Sequence, residues 1–172
     1  FLAHTHIPTI WDESGTWIEN VDWIQHLDGS LEFEWELPNK IRFGSRVIPD
    51  ATGAECEMWL TNGTSEPLTG LRTQVCAMLK GVPGFNEQSG DKKRLDSPVA
   101  AIHSEDNKRW ILKAFDHCGR VWENPRCPCM HADPVFPDTE PGETVRVHGR
   151  VWFYEGDQID QEIERAKARF GG

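Results

Sequence analysis

From Ser30 to Leu37 the chain alternates with a period of two, Leu31, Phe33, Trp35 and Leu37 falling on one side and Glu32, Glu34 and Glu36 on the other. Successive side chains of an extended strand point to opposite faces, so this run specifies a half-buried strand, which Pro38-Asn39 ends. The same period returns at 144–154. There Val145, Val147, Val151 and Phe153 form the predicted inward row, and Arg146, His148 and Arg150 the exposed one. Further strands are expected at 41–48, 55–61, 68–79, 99–103, 109–115 and 121–122. The pair 55–61 and 68–79 reads as a hairpin through the Asn62-Gly63 turn signal. Only the end is helical: Asp157 is placed to cap a helix reaching Phe170, with Ile159, Ile163 and Ala166 on one face. Two stretches break the pattern. Residues 81–98, with glycines and charges, read as a long surface loop. Residues 124–142 carry Pro125, Pro128, Pro134, Pro137 and Pro141 and read as an ordered loop, with a helix or central strand excluded.

Seven to nine short strands and one terminal helix predict a mainly β fold over residues 1–172 as a single domain. The expected architecture is an antiparallel β-sandwich or jelly roll with one C-terminal helix, and a cupin-like barrel is the alternative. A chain of 172 residues can bury a core of its own. Its net charge of −10 repels phosphate backbones, which argues against nucleic acid as a partner. No apolar run approaches the ~20 residues that a membrane helix needs, so no membrane span is expected. Phe1-Leu2-Ala3-His4 lacks the features of a signal peptide. The missing initiator Met fits a processed product, soluble and compatible with a secreted or periplasmic location.

The densest chemistry lies at Cys127-Pro128-Cys129-Met130-His131, with His117 and Cys118 upstream. Thiolate and imidazole are ligands for zinc and copper, and a bend at Pro128 lets two sulfurs one residue apart reach one ion. A disulfide from Cys118 to Cys127 or Cys129 is the competing way to hold the loop. Both require these sulfurs to be close in space, so Cys118 is expected to approach Cys127 or Cys129, with His117 or His131 facing the same cavity. With five cysteines, at least one thiol stays outside any disulfide within the monomer. His4 and His6 are a second candidate pair, since residues two apart on a strand share a side. Arg146, His148 and Arg150 form a stripe able to hold an anion. Among eight tryptophans, Trp11, Trp17 and Trp23 stand in the irregular first thirty residues and are candidates for stacking on sugar rings.

The phrase Trp59-Leu60-Thr61-Asn62-Gly63-Thr64-Ser65-Glu66-Pro67-Leu68, followed by Pro141-Gly142-Glu143-Thr144, resembles phrases of galactose-mutarotase-like β-sandwiches. Cys127-Pro128-Cys129-Met130-His131 is similar to a phrase of uncharacterised bacterial proteins. The first resemblance implies the fold class and a link to sugars, and it carries over no catalytic residue. Three functions are then compatible with the chain. One is a carbohydrate-recognising β-sandwich using Trp11, Trp17, Trp23, Arg146, His148 and Arg150. Another is a small metal-dependent enzyme of cupin or jelly-roll type, with zinc or copper on His117, Cys118, Cys127, Cys129 and His131. The last is a protein-interaction domain.

Overall fold

A computed structural model describes residues 2–6, 22–37, 39–87 and 90–171, with residues 2–6 described by their backbone alone. The strands are β1 (Leu2–His6), β2 (Ile24–Gln25), β3 (Leu31–Glu36), β4 (Arg42–Pro49), β5 (Gly53–Thr61), β6 (Arg72–Met78), β7 (Lys93–Asp96), β8 (Val99–His103), β9 (Arg109–Phe115), β10 (Cys118–Trp122), β11 (Cys129–Pro134) and β12 (Thr144–Glu155). One helix, α1 (Ile159–Phe170), follows. The strands form an eight-stranded sheet in the order β2-β3-β4-β5-β12-β9-β8-β7 and a four-stranded sheet in the order β1-β6-β11-β10. Every neighbouring pair is antiparallel. No helix among the described residues is long and apolar enough to cross a membrane.

The two sheets stack as a sandwich. Phe33, Met58, Leu60, Phe115 and Val147 of the larger sheet meet Val75 and Ala132 of the smaller one in a single core cluster. Burying each Val, Leu, Met or Phe side chain among them contributes roughly 1.5–3 kcal/mol. The predicted inward row is seen at Phe33 and at Leu37 just beyond β3, both buried, whereas Leu31 at the start of the strand is 39% exposed. Strand β9 is covered on both faces. Its Trp110, Leu112 and Ala114 pack under α1 with Trp152, Ile163, Ala166 and Phe170, while Ile111 joins the interior on the other side. The helix therefore lies on the outer face of the larger sheet, over β8, β9 and the end of β12. Over β3, β4, β5 and the first half of β12 that face carries a row of ionised side chains.

Several expectations are corrected. Asp157 does not cap α1, whose capping position is Gln158 without a side-chain bond. Strands β5 and β6 do not form a hairpin: they belong to different sheets, and residues 62–71 carry the chain across the sandwich. Buried Asn62 organises that crossing. Its side-chain amide donates to the carbonyls of Glu66 and Thr139, and its oxygen accepts from the Thr64 amide and hydroxyl. The Gly142 amide donates to the Asn62 carbonyl, so the two mutarotase-like phrases meet at this residue. The proline-rich stretch contains β11, flanked on both sides by strands. Pro128 precedes the strand and Pro134 is its last residue, so the ladder residues between them keep their amides. The stretch 81–98 is not simply a surface loop: Phe85 is buried and Lys93–Asp96 forms the edge strand β7. Phe153 is 59% exposed. β5 begins at Gly53, opposite Trp152, so no β5 residue flanks the Phe153 ring.

Candidate functional site

Two places on the molecule concentrate chemistry. The first is the face of the four-stranded sheet turned away from the sandwich core. Along β6 and β11, Val75, Ala77, Met130 and Ala132 enter the interior clusters. The alternate residues Cys76, Cys129, His131 and Asp133 therefore share the opposite face. The register pairs His131 with Cys76 and Cys129 with Met78. Cys76 Sγ, Cys129 Sγ and a His131 ring nitrogen all lie within 4.8 Å of one another. Cys129 Sγ is 3.4 Å from His131 Nε2 and 3.3 Å from Cys127 Sγ. Cys127 reaches this position because the Cys129 amide donates to the Cys127 carbonyl across 2.8 Å. This is a three-residue bend centred on Pro128, whose fixed φ suits it.

The surroundings are built as carefully as the cluster. Trp122 stacks on His131, ring centroids 4.0 Å apart. Asp133 accepts from the Trp122 indole at 2.6 Å, Arg120 at 2.9 Å and the Val75 amide at 2.9 Å. Burial alone would raise the Asp133 carboxyl; the facing His131 ring and these three donors hold it below the ordinary aspartate value. His131 Nδ1 is buried without a hydrogen bond, and Asp133 Oδ1 faces it at 3.6 Å. Burial, reinforced by the neighbouring Cys129, pushes the Cys76 thiol up to about 11. From the other sheet, the buried Lys113 ammonium donates to the carbonyls of Val75 and Met130, next to Cys76, Cys129 and His131. Its burial lowers the Lys113 pKa to about 8.

The predicted group is thus brought together only in part. Cys129 touches both Cys127 and His131, whereas Cys118 and His117 do not join them. Cys118 pairs with Pro134, five residues along β11 from Cys129, a separation of about 16 Å. Its sulfur sits 3.4 Å from the Arg120 carbonyl. His117 is exposed on the turn between β9 and β10. All five cysteines are free thiols, so no disulfide holds the loop. The clustered residue absent from the expected set is Cys76. Its signal in the sequence was its place in the polar row Gln74, Cys76, Met78 of a strand, but nothing local tied that row to the proline-rich segment. The backbone of β1 pairs His4 with Gln74 and His6 with Arg72, which sets the predicted histidine pair on the strand next to β6.

The second place is the open outer face of the larger sheet. The strand registers align side chains there in rows across β3, β4, β5 and β12: Glu32, Arg46, Glu57, His148; then Glu34, Gly44, Trp59, Arg146; then Glu36, Arg42, Thr61, Thr144. A cleft of about 370 Å³ opens over these rows. A Cβ on Gly44 would fall 2.3 Å from the Trp59 ring, so glycine lets the indole lie flat on β4. The indole nitrogen then donates to Glu34 at 2.6 Å, and the Arg146 guanidinium stands 5.5 Å from the ring centre.

Each member of the predicted basic stripe is held by a carboxylate. Arg146 pairs with Glu57, His148 lies 3.3 Å from Asp116 and 3.5 Å from Glu57, and Arg150 pairs with Asp50 and Glu55. Trp23 is 45% exposed and meets Phe33 edge-on. Trp11 and Trp17 lie outside the described residues.

No protein-family model matches the chain, and no curated protein matches it. Solved structures do share its fold. An aldose 1-epimerase-type protein of Escherichia coli K12 superposes with a TM-score of 0.56 at 12% identity, over 81% of this chain and 70% of that one. A galactose mutarotase-like protein of Lactobacillus casei gives 0.53 at 11% identity, over 78% and 73%. A kojibiose phosphorylase-type protein from the human microbiome gives 0.55 at 10% identity, over 89% of this chain. The chain spans only 22% of that phosphorylase. The protein is a β-sandwich with the fold of galactose mutarotase-like and aldose 1-epimerase proteins.

Proposed function

We propose that the protein recognises a neutral carbohydrate in the cleft on the outer face of its larger sheet. The observation that carries this reading is the charge pattern of the cleft. Glu32, Glu34 and Glu57 are matched by Arg42, Arg46 and Arg146 around one flat indole. Carboxylates accept and guanidinium groups donate, so the lining satisfies a ligand that presents donors and acceptors in alternation and no net charge, as sugar hydroxyls do. The Trp59 indole is only 8% exposed, seated on Gly44 with Arg146 over it, so it fixes the floor of the cleft and the polar lining carries the recognition. The shared fold with proteins described as acting on aldoses and disaccharides supports the same ligand class. A phosphorylated or nucleic-acid ligand would need an excess of positive charge, which this lining lacks.

The test is a glycan array on the intact chain, followed by calorimetric titration of the best neutral sugar. Glu32→Gln combined with Arg42→Ala alters one half-buried and one exposed lining group outside the core and is expected to weaken binding at least about tenfold, or about 1.4 kcal/mol. Recognition of anionic glycans alone, or unchanged affinity in the double variant, would overturn the proposal.

A further inference from the structure

We infer that Cys76, Cys127, Cys129 and His131 form a four-ligand centre for a thiophilic divalent cation of the zinc class, independent of the carbohydrate cleft. Zinc held tetrahedrally at ~2.3 Å from sulfur and ~2.0 Å from nitrogen sets its ligand atoms roughly 3.5–3.8 Å apart. Cys76, Cys129 and His131 lie within 4.8 Å of one another, with Cys129 and His131 3.4 Å apart, close to that spacing; Cys127, 3.3 Å from Cys129, supplies the fourth sulfur after a small outward shift. Two ligands come from alternate positions of β11, one from the bend that precedes it and one from β6, so the ion would tie strand β6 to the proline-restricted segment.

A second observation points the same way. A ligating imidazole characteristically presents its other nitrogen to a carboxylate, which fixes the ring and strengthens the ligand. With Nε2 turned to the sulfurs, His131 leaves Nδ1 buried, unbonded and facing Asp133. Asp133 is itself locked by Arg120, Trp122 and the Val75 amide. Three thiolates around a divalent ion leave one net negative charge, and the buried Lys113 ammonium offers the counter-charge from the opposite side of the sheet.

A single nucleophilic cysteine is the competing use of a Cys129–His131–Asp133 line. Cys129 is only 1% exposed and has a second thiol at 3.3 Å, which leaves an incoming substrate no approach. A blue-copper centre takes two histidines and one cysteine, whereas the cluster offers one histidine and three cysteines. Four protein ligands leave no open position, so the centre is structural.

The experiment uses the intact chain, purified reduced and supplemented with zinc, with metal content measured after exhaustive exchange. About one zinc per chain is expected. Cobalt(II) in its place should give the intense visible bands of a tetrahedral ion and thiolate charge-transfer absorption matching three sulfurs. Chelation should lower the melting temperature. Asp133→Asn should weaken zinc about 10–100-fold while cobalt stays tetrahedral. Cys118→Ser and His117→Asn should retain the full metal content, and Cys129→Ser should lose it. If Cys129→Ser fails to fold, the cobalt spectrum of the unsubstituted chain still counts the thiolates. Absence of zinc from the reduced chain, a non-tetrahedral cobalt spectrum, loss of metal in Cys118→Ser, or a Cys127–Cys129 disulfide in the purified protein would overturn the inference.

Discussion

Lys113, on a central strand of the larger sheet, reaches across the sandwich and donates from its buried ammonium to the Met130 carbonyl of the smaller sheet, 3.3 Å away. The same group donates to the Val75 carbonyl. One charged side chain thus joins the two strands that carry the clustered thiols. A buried carbonyl left without a donor costs about 1–3 kcal/mol. Lys113→Met deprives these two carbonyls of the ammonium and, with the relief of a buried charge offsetting part of the loss, is expected to destabilise the fold by about 1–3 kcal/mol. Amide exchange in β6 and β11 should accelerate more than in β3 and β4. Urea unfolding and hydrogen exchange read both effects, and an unchanged midpoint would count against the clamp.

Strand β12 provides a paired test of facing. Val147 is fully buried between the sheets, whereas Phe153 is 59% exposed. Val147→Asp places an unpaired carboxylate in the core and is expected to cost about 4 kcal/mol or more. Phe153→Ser should stay within about 0.5 kcal/mol of the parent. Thermal melts of the two variants decide it, and equal losses would show the facing to be wrong.

Asp50 gives the pH dependence. Its carboxyl is held down to about 2, first by the Arg150 guanidinium and then by the Thr52 amide, against an ordinary value of 3.8. A carboxyl with a lowered native pKa stabilises the fold above its unfolded pKa, and that contribution fades as pH falls through the native one. Asp50→Asn should therefore melt below the parent at pH 6, and the gap should close between pH 4 and pH 2. Melting curves of the two proteins across that range check the sign; a gap that widens on acidification would refute the assignment.

Much of the fold was legible because its signals are short-range. The period of two at 31–37 and 144–154 gives the inward direction of Phe33, Leu37 and Val147, though not the burial of Leu31 and Phe153 at the strand ends. The 3.6-residue period of Ile159, Ile163 and Ala166 does the same for α1, where Ile163 and Ala166 are indeed buried. The approach of Cys129 to both Cys127 and His131 also belongs to this class, since a bend at Pro128 and an extended run suffice to produce it.

What only the tertiary structure decided is which distant segments become neighbours. Residues 55–61 and 68–79 alternate as two strands in the sequence, yet the buried amide network of Asn62 sends them into different sheets. Cys76 lies 51 residues before Cys127 in the sequence and enters the thiol cluster because β6 pairs with β11. Cys118 is near Cys127 in sequence and far from Cys129 in space because the β10–β11 pairing carries it to the opposite end of the strand. Likewise the glutamates of β3 and the basic residues of β12 each look like a solvated stripe until β4 and β5 come between them and close one cleft. Local periodicity fixes the direction a side chain points, because it follows from backbone geometry alone. Pairing across a sheet depends on the summed burial of both faces and on where the amides find partners, and those quantities exist only once the whole chain has folded.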